Sequence, residues 1–143
     1  MQTFLPFSDF EESFRVLDRT RLGNQRREAR QIIDLLLSRP LASGAKRTGW
    51  LHHPAVLMWR GHVDALKLYY NLCISEWVRQ GYRNSMERER IRRAVILPPW
   101  LGQEAVHSSH RAALLFKDLA WYSQWGWDEK PQLQYVWPVL NDV

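Results

Sequence analysis

The residues best suited to chemistry crowd into one stretch of the chain. Six arginines and no lysine lie between Arg15 and Arg30, and Glu28 sits in the densest part, Gln25-Arg26-Arg27-Glu28-Ala29-Arg30. A carboxylate there can stabilise a developing cation, or move a proton, beside a sugar phosphate held by the arginines. The plainer alternative is a surface glutamate that relieves repulsion between neighbouring guanidinium groups. A second cluster follows at Arg83, Arg88, Arg90, Arg92 and Arg93. Arginine's forked guanidinium suits phosphates and base edges, although a solvated helix face produces the same pattern.

Histidines and tryptophans are the other candidates. His52-His53 and the pair His107 and His110 have spacings that can bring two ligands together, but no cysteine lies near and no characteristic zinc spacing occurs, so no metal is expected. His53, just before Pro54, is a polar group at a helix start, and His110-Arg111 offers a phosphate contact; capping and core hydrogen bonding are the ordinary roles of such residues. Eight tryptophans are present. Trp50, Trp59, Trp100, Trp121, Trp125, Trp127 and Trp137 are candidates to stack on an unstacked base. Trp59 and Trp77 read as core. The tail residues Trp121, Tyr122, Trp125 and Trp127, outside a clear helix, are the better stacking surface. The sequence has no Walker A loop, GxGxxG, GxSxG or HExxH motif, so readings as a nucleotide hydrolase, dehydrogenase or metalloprotease lose their usual support, and no cofactor is expected.

Helices must position these groups. Ser8-Asp9 followed by Glu11 and Glu12 marks the start of a short helix running to Leu17. Asp18 caps a longer one reaching Leu37, with Leu22, Gln25, Ala29, Ile32, Ile33 and Leu36 on one stripe. Arg19, Arg26 and Arg30 fall on one flank of that stripe and Glu28 on the other. A loop over 38–49 carries Lys46 and Arg47, within reach of a phosphate backbone. His53-Pro54 opens a long, widely apolar helix to about Gln80, stopped by Gly81. A charged stretch from Asn84 to Arg93, helical or loosely ordered, ends at Pro98-Pro99, and a last helix spans Gly102 to Lys117. From Asp118 the tail is rich in Trp, Tyr and Pro. No β alternation or internal repeat appears. The expected fold is all-α: a single compact helical-bundle domain over 1–143 with an irregular, aromatic-rich C-terminal tail.

The 143 residues, 45% hydrophobic and 24% charged, suffice for one folded core and argue against wholesale disorder. A net charge of +5 favours an anionic partner without naming it. Cys73 is the single cysteine, so no intramolecular disulfide can form, which suits a reducing compartment. No unbroken apolar run is long enough to span a membrane and no secretion signal is evident, so a cytoplasmic location is expected.

Three segments taken together, Leu22-Gly23-Asn24-Gln25-Arg26-Arg27-Glu28, His53-Pro54-Ala55-Val56-Leu57-Met58-Trp59 and Trp77-Val78-Arg79-Gln80-Gly81-Tyr82, resemble the pyrimidine-dimer DNA glycosylase family, whose type member is a phage endonuclease V. The order agrees and covers most of the chain. The resemblance implies an enzyme of a bacterial cell or phage-infected host that binds double-stranded DNA as a monomer, kinks it and flips a nucleotide out. It implies that the N-terminal amine attacks C1′ and forms an imine, and that a glutamate on the first long helix, preceded by an arginine, serves the glycosylase and strand-cleavage steps. Arg27 and Glu28 fall on that pair, and His53 on a family histidine. Where the type member exposes a threonine amine after loss of the initiator Met, Gln2 here leaves the amine on Met1.

The resulting expectation is a DNA glycosylase, with or without AP lyase activity, acting on a damaged or modified pyrimidine. Met1, Arg27 and Glu28 are its catalytic residues. Arg19, Arg21, Arg26, Arg30, Lys46, Arg47, His53, Arg60, His110, Arg111 and Lys117 are its DNA-binding residues. Two alternatives stand beside it: a transferase that joins an amino acid or other amine to an activated modified pyrimidine, and a non-catalytic DNA-binding protein.

Overall fold

The computed structural model describes residues 1–42, 44 and 49–138, and Lys46 and Arg47 fall outside that set. The described residues form helices and no strand, as the periodicity predicts. Helix α1 spans Phe10–Val16 and α2 spans Arg19–Leu36. Both begin as expected: the Asp9 side chain accepts from the Glu12 N–H, and Asp18 accepts from the Arg21 N–H. Each cap satisfies one of the four amides that a helix start leaves without an internal partner.

The expected long helix from His53 is divided. A short α3, Pro54–Leu57, is followed by α4, Val63–Arg79. Between them Gly61 takes a φ of +80°, a left-handed conformation that costs a glycine nothing and ends the α3 turn. The apolar pattern continues across the break because Met58, Trp59, Ala65 and Leu66 all face the same core. Helix α5, Glu104–Lys117, begins two residues later than expected. The tail, expected to be irregular, contains a single turn of helix, α6, Leu119–Tyr122, and a 3-10 turn over Ser123–Trp125. The arginine-rich stretch before Pro98 has no regular element and is tied to α4: Asn71 bonds the backbone of Glu89 in both directions, and the Tyr70 hydroxyl donates to the Glu87 carbonyl at 2.6 Å.

Helices α2 and α4 form the central pair. Gly23 is the point of closest approach, since a Cβ there would meet the Trp77 ring at 3.0 Å. Glycine in mid-helix costs about 1 kcal/mol relative to alanine, and here it admits the indole.

The feature that matters most for function is the extended segment from Gln2 to Pro6, all of it buried. A buried strand without a sheet must find other partners for its amides, and side chains provide them. Gln25 donates to the Gln2 carbonyl at 3.1 Å and accepts from the Phe4 N–H at 2.8 Å. Tyr69 bridges the Phe4 carbonyl and the Gln25 amide oxygen, and the Trp59 indole N–H donates to Thr3 Oγ1 at 3.0 Å. On the other side His110 Nδ1 accepts from the Leu5 N–H, His107 Nδ1 donates to the Leu5 carbonyl, and Arg111 donates to the Pro6 carbonyl. Each group left unpaired there would cost about 1–3 kcal/mol, so the set holds the segment in one register.

This corrects the expectation for His110, which is 0% exposed and meets no solvent, let alone a phosphate. Burial, with His107 close by, pushes its imidazole down to about 3. The folded ring therefore stays neutral, while the unfolded chain takes up a proton below about pH 6.5. The resulting stability is complete above that value and is lost as the pH falls towards 3, by up to ~1.4 kcal/mol per pH unit. Urea midpoints measured between about pH 7 and about pH 4 are expected to fall steeply in the wild type. They should fall less in His110→Asn, whose side-chain oxygen can still accept from Leu5. Equal slopes in the two proteins would assign the acid sensitivity to other groups.

Candidate functional site: a terminal amine beside Glu28

Gln25 and Glu28 lie nearly one turn apart on α2. Because Gln25 grips the Gln2 carbonyl, the residue before it, Met1, is held close to this part of α2. The electrostatics agree. Burial raises the Glu28 carboxyl above the usual range, and the positive charge of the Met1 amine opposes that rise. The same two influences both lower His53, burial first and the amine charge second. One amine thus acts on a carboxylate from α2 and an imidazole from the start of α3.

His53 is the N-cap of α3. Its Nδ1 accepts from the Ala55 N–H at 3.0 Å, so in the neutral ring Nε2 carries the hydrogen. The Trp50 and Trp137 rings each stand 6.0 Å from the imidazole, and Tyr135 packs against Trp137 at 5.7 Å. The imidazole is thus bordered by aromatic rings from two distant parts of the chain. Chemically, an amine beside a half-buried carboxylate can attack an electrophilic carbon and pass its proton on.

The other sequence candidates divide by position. Arg27 is exposed next to Glu28 in sequence. Arg26 is buried, with its guanidinium 4.3 Å from the Trp77 ring centre and bonded to Asn84 at 2.7 Å. Arg30 pairs with Asp34 and Glu89, and Arg21 with Asp18. Arg26 and Arg30 hold partners on the flank of α2 away from Glu28. Together with Arg27 and Arg83 they line a cleft of about 580 Å³ there. Arg111 is engaged by Glu104 and Glu129 in addition to Pro6. Arg60 and Lys117 are exposed, and Arg19 lies over Tyr82.

Among the stacking candidates, Tyr122 is corrected: it is 0% exposed, its hydroxyl bonds Asp18, and its ring stacks on Trp127 at 5.7 Å. Trp127 also meets Phe7 at 6.0 Å and belongs to the same packing. Trp121 and Trp125 remain exposed, away from Met1. Sequence reasoning missed the part played by Gln25, which it had read only as a member of the apolar stripe. A lone polar residue on such a stripe is the signal, because a buried amide demands partners. Among the described residues no group of three or more His, Cys, Asp or Glu side chains could hold a metal ion. No helix among them is long and apolar enough to cross a membrane.

Among the described residues the chain is all-helical, with its buried first segment seated against the central helix that carries Glu28. Residues 1–90 match the family described as pyrimidine dimer DNA glycosylase. The chain belongs to that family, and its function is of the DNA-glycosylase type, with DNA as substrate. The matched stretch contains Met1, Glu28 and His53, while α5 and the aromatic tail lie beyond it. Nothing among the curated proteins and nothing among the solved structures matches the chain.

Proposed function

We propose that this protein is a DNA glycosylase with lyase capability that acts on a damaged or modified pyrimidine in double-stranded DNA, with the Met1 amine as nucleophile. What supports the reading is the bond from Gln25 to the Gln2 carbonyl, which holds Met1 against the part of α2 that carries Glu28, with the amine charge felt at both Glu28 and His53. In this reading the target nucleotide is flipped out of the stack, since its C1′ is otherwise out of reach. The amine lone pair forms a bond to C1′ as the glycosidic bond breaks, and the departing base keeps that electron pair and takes a proton. Loss of the amine proton and opening of the sugar ring leave an imine between Met1 and C1′. Removal of a C2′ proton then expels the 3′ phosphate and cuts the strand.

Glu28 serves as the carboxylate that stabilises positive charge at C1′ and moves the protons. His53, neutral and with Nε2–H free of its capping bond, donates to the sugar or to the departing base. Arg27, Arg60 and Lys117 are exposed cations available to the DNA backbone.

Borohydride trapping tests the reading. It reduces an imine to a stable secondary amine, so a duplex carrying an abasic site or a cyclobutane pyrimidine dimer should yield a covalent protein–DNA band that maps to Met1. A band with the dimer duplex would name the lesion as well. Tight binding with no band on either duplex would remove the amine mechanism and leave a water-using glycosylase, a transferase that takes an external amine, or a DNA binder.

A further inference from the structure

We propose that the end of α2 near Arg19 forms a second nucleotide site, which takes an unpaired nucleotide of the DNA several steps from the one that reacts. The proposal rests on DNA being the substrate. A cleft of about 510 Å³ opens there between the start of α2, the end of α4 and the short helices of the tail. That volume falls within the ~300–1,000 Å³ usual for ligand clefts.

The walls of this cleft have two characters. On one side Trp121 and Trp125 are 40% and 39% exposed. The Trp121 indole N–H is fixed to the Val16 carbonyl at 2.9 Å, so the ring is held in place without being covered. On the other side the Arg19 guanidinium lies 4.7 Å from the centre of the Tyr82 ring, and Tyr82 lies on Trp77 at 4.5 Å. Arg26 also lies over Trp77, giving a pile in the order Arg26, Trp77, Tyr82, Arg19. Arg19 has no carboxylate partner among the described residues, and its charge remains available. Indole rings and guanidinium planes accept any base by stacking. Arg19 supplies positive charge for the accompanying phosphate, whereas Arg15, also at the cleft, is paired with Glu11 at 3.3 Å.

This site cannot hold the reacting nucleotide. Arg19 and Glu28 are nine positions apart on one helix, which is about 14 Å along its axis and on opposite sides of it. With the helix's own width, the separation is about 17 Å, or about five nucleotide spacings at 3.4 Å. A base kept in a straight duplex stack does not reach round the end of the helix, whereas an unpaired one can swing free. The site therefore favours DNA with a bulged or single-stranded nucleotide near the lesion.

The test compares duplexes that carry a stable abasic analogue and one bulged nucleotide, placed at each position from about two to about eight steps away, with a fully paired control. Affinity is read by fluorescence anisotropy. A bulge at about four to six steps is expected to tighten binding about tenfold. Trp125→Ala and Arg19→Ala should lose that gain and Trp125→Phe should keep most of it, each gain being read against the same variant's affinity for the paired control. Equal affinity for bulged and paired DNA, or a gain that Trp125→Ala retains, would overturn the proposal. Borohydride trapping on a paired abasic duplex, run alongside, separates the two readings. A bulge preference without an adduct leaves this site standing and removes the amine mechanism, and an adduct without a bulge preference does the reverse.

Discussion

Glu28→Gln is expected to lower turnover by about 10²–10⁴-fold while DNA binding is kept or tightened. The substitution preserves the shape of the side chain and its place on α2 but removes the negative charge. Two consequences follow. Positive charge that develops at C1′ loses its nearest counter-charge, and no carboxylate remains to take the C2′ proton. Binding is spared, because a neutral side chain repels DNA phosphates less than a carboxylate does. Stability changes little, since Glu28 makes no ion pair with its arginine neighbours and its burial already disfavours the charge. Burial also sets the pH behaviour: with the Glu28 carboxyl raised, the active carboxylate should be lost on the acid side at a higher pH than for a free glutamate. Single-turnover rates and anisotropy on the same duplex check both halves. An unchanged rate would reduce Glu28 to a surface charge and support the plain DNA-binding alternative.

The second large effect concerns the amine itself. Acetylating Met1, or placing one further residue before it, is expected to bring the borohydride adduct down to background. Acetylation turns the nucleophile into an amide whose nitrogen lone pair is no longer available. An added residue moves the free amine by up to ~3.6 Å, since Gln2 to Pro6 are held in register by Gln25, Trp59, Tyr69 and the α5 histidines. An attacking group displaced that far can lose more than 10²-fold even with every other contact in place. The thermal midpoint should stay unchanged in both forms, because the anchoring bonds begin at Gln2. Adduct formation that survives both changes would place the nucleophile elsewhere, with an internal lysine as the first group to map.

Much of the helical frame was legible. Asp9 and Asp18 announced their helices because capping is local chemistry, and the α2 stripe placed Glu28 on a flank because helical period is local geometry. The break at Gly61 was not legible, since its flanking residues keep an apolar pattern that either one helix or two can satisfy. Local pattern also says nothing of which polar residues the core will enclose. His110 and Arg111 read as surface groups, yet His107, His110 and Leu114 share one stripe of α5, and that spacing signalled an inward face. The meeting of Met1 with Glu28 and His53 joins an extended segment to two helices, a relation that no window of sequence contains. Resemblance to a family supplied that expectation, and the buried amide of Gln25 supplied its physical cause.

The seating of residues 2–6 also sets an order of events. These residues are synthesised early, yet Leu5 pairs with His110, 105 positions further along the chain. While α5 is still being made, the Leu5 amide and carbonyl lack their partners, and only Gln2 to Phe4 have their seat, on Gln25, Trp59 and Tyr69. Closing so long a loop is slow, and non-local contacts of this kind form late. The seat of the whole segment is thus completed only after the last long helix has docked. A nascent or C-terminally shortened chain, though it carries Met1, Glu28 and His53, holds the segment by its first residues alone and leaves Leu5 and Pro6 without their partners.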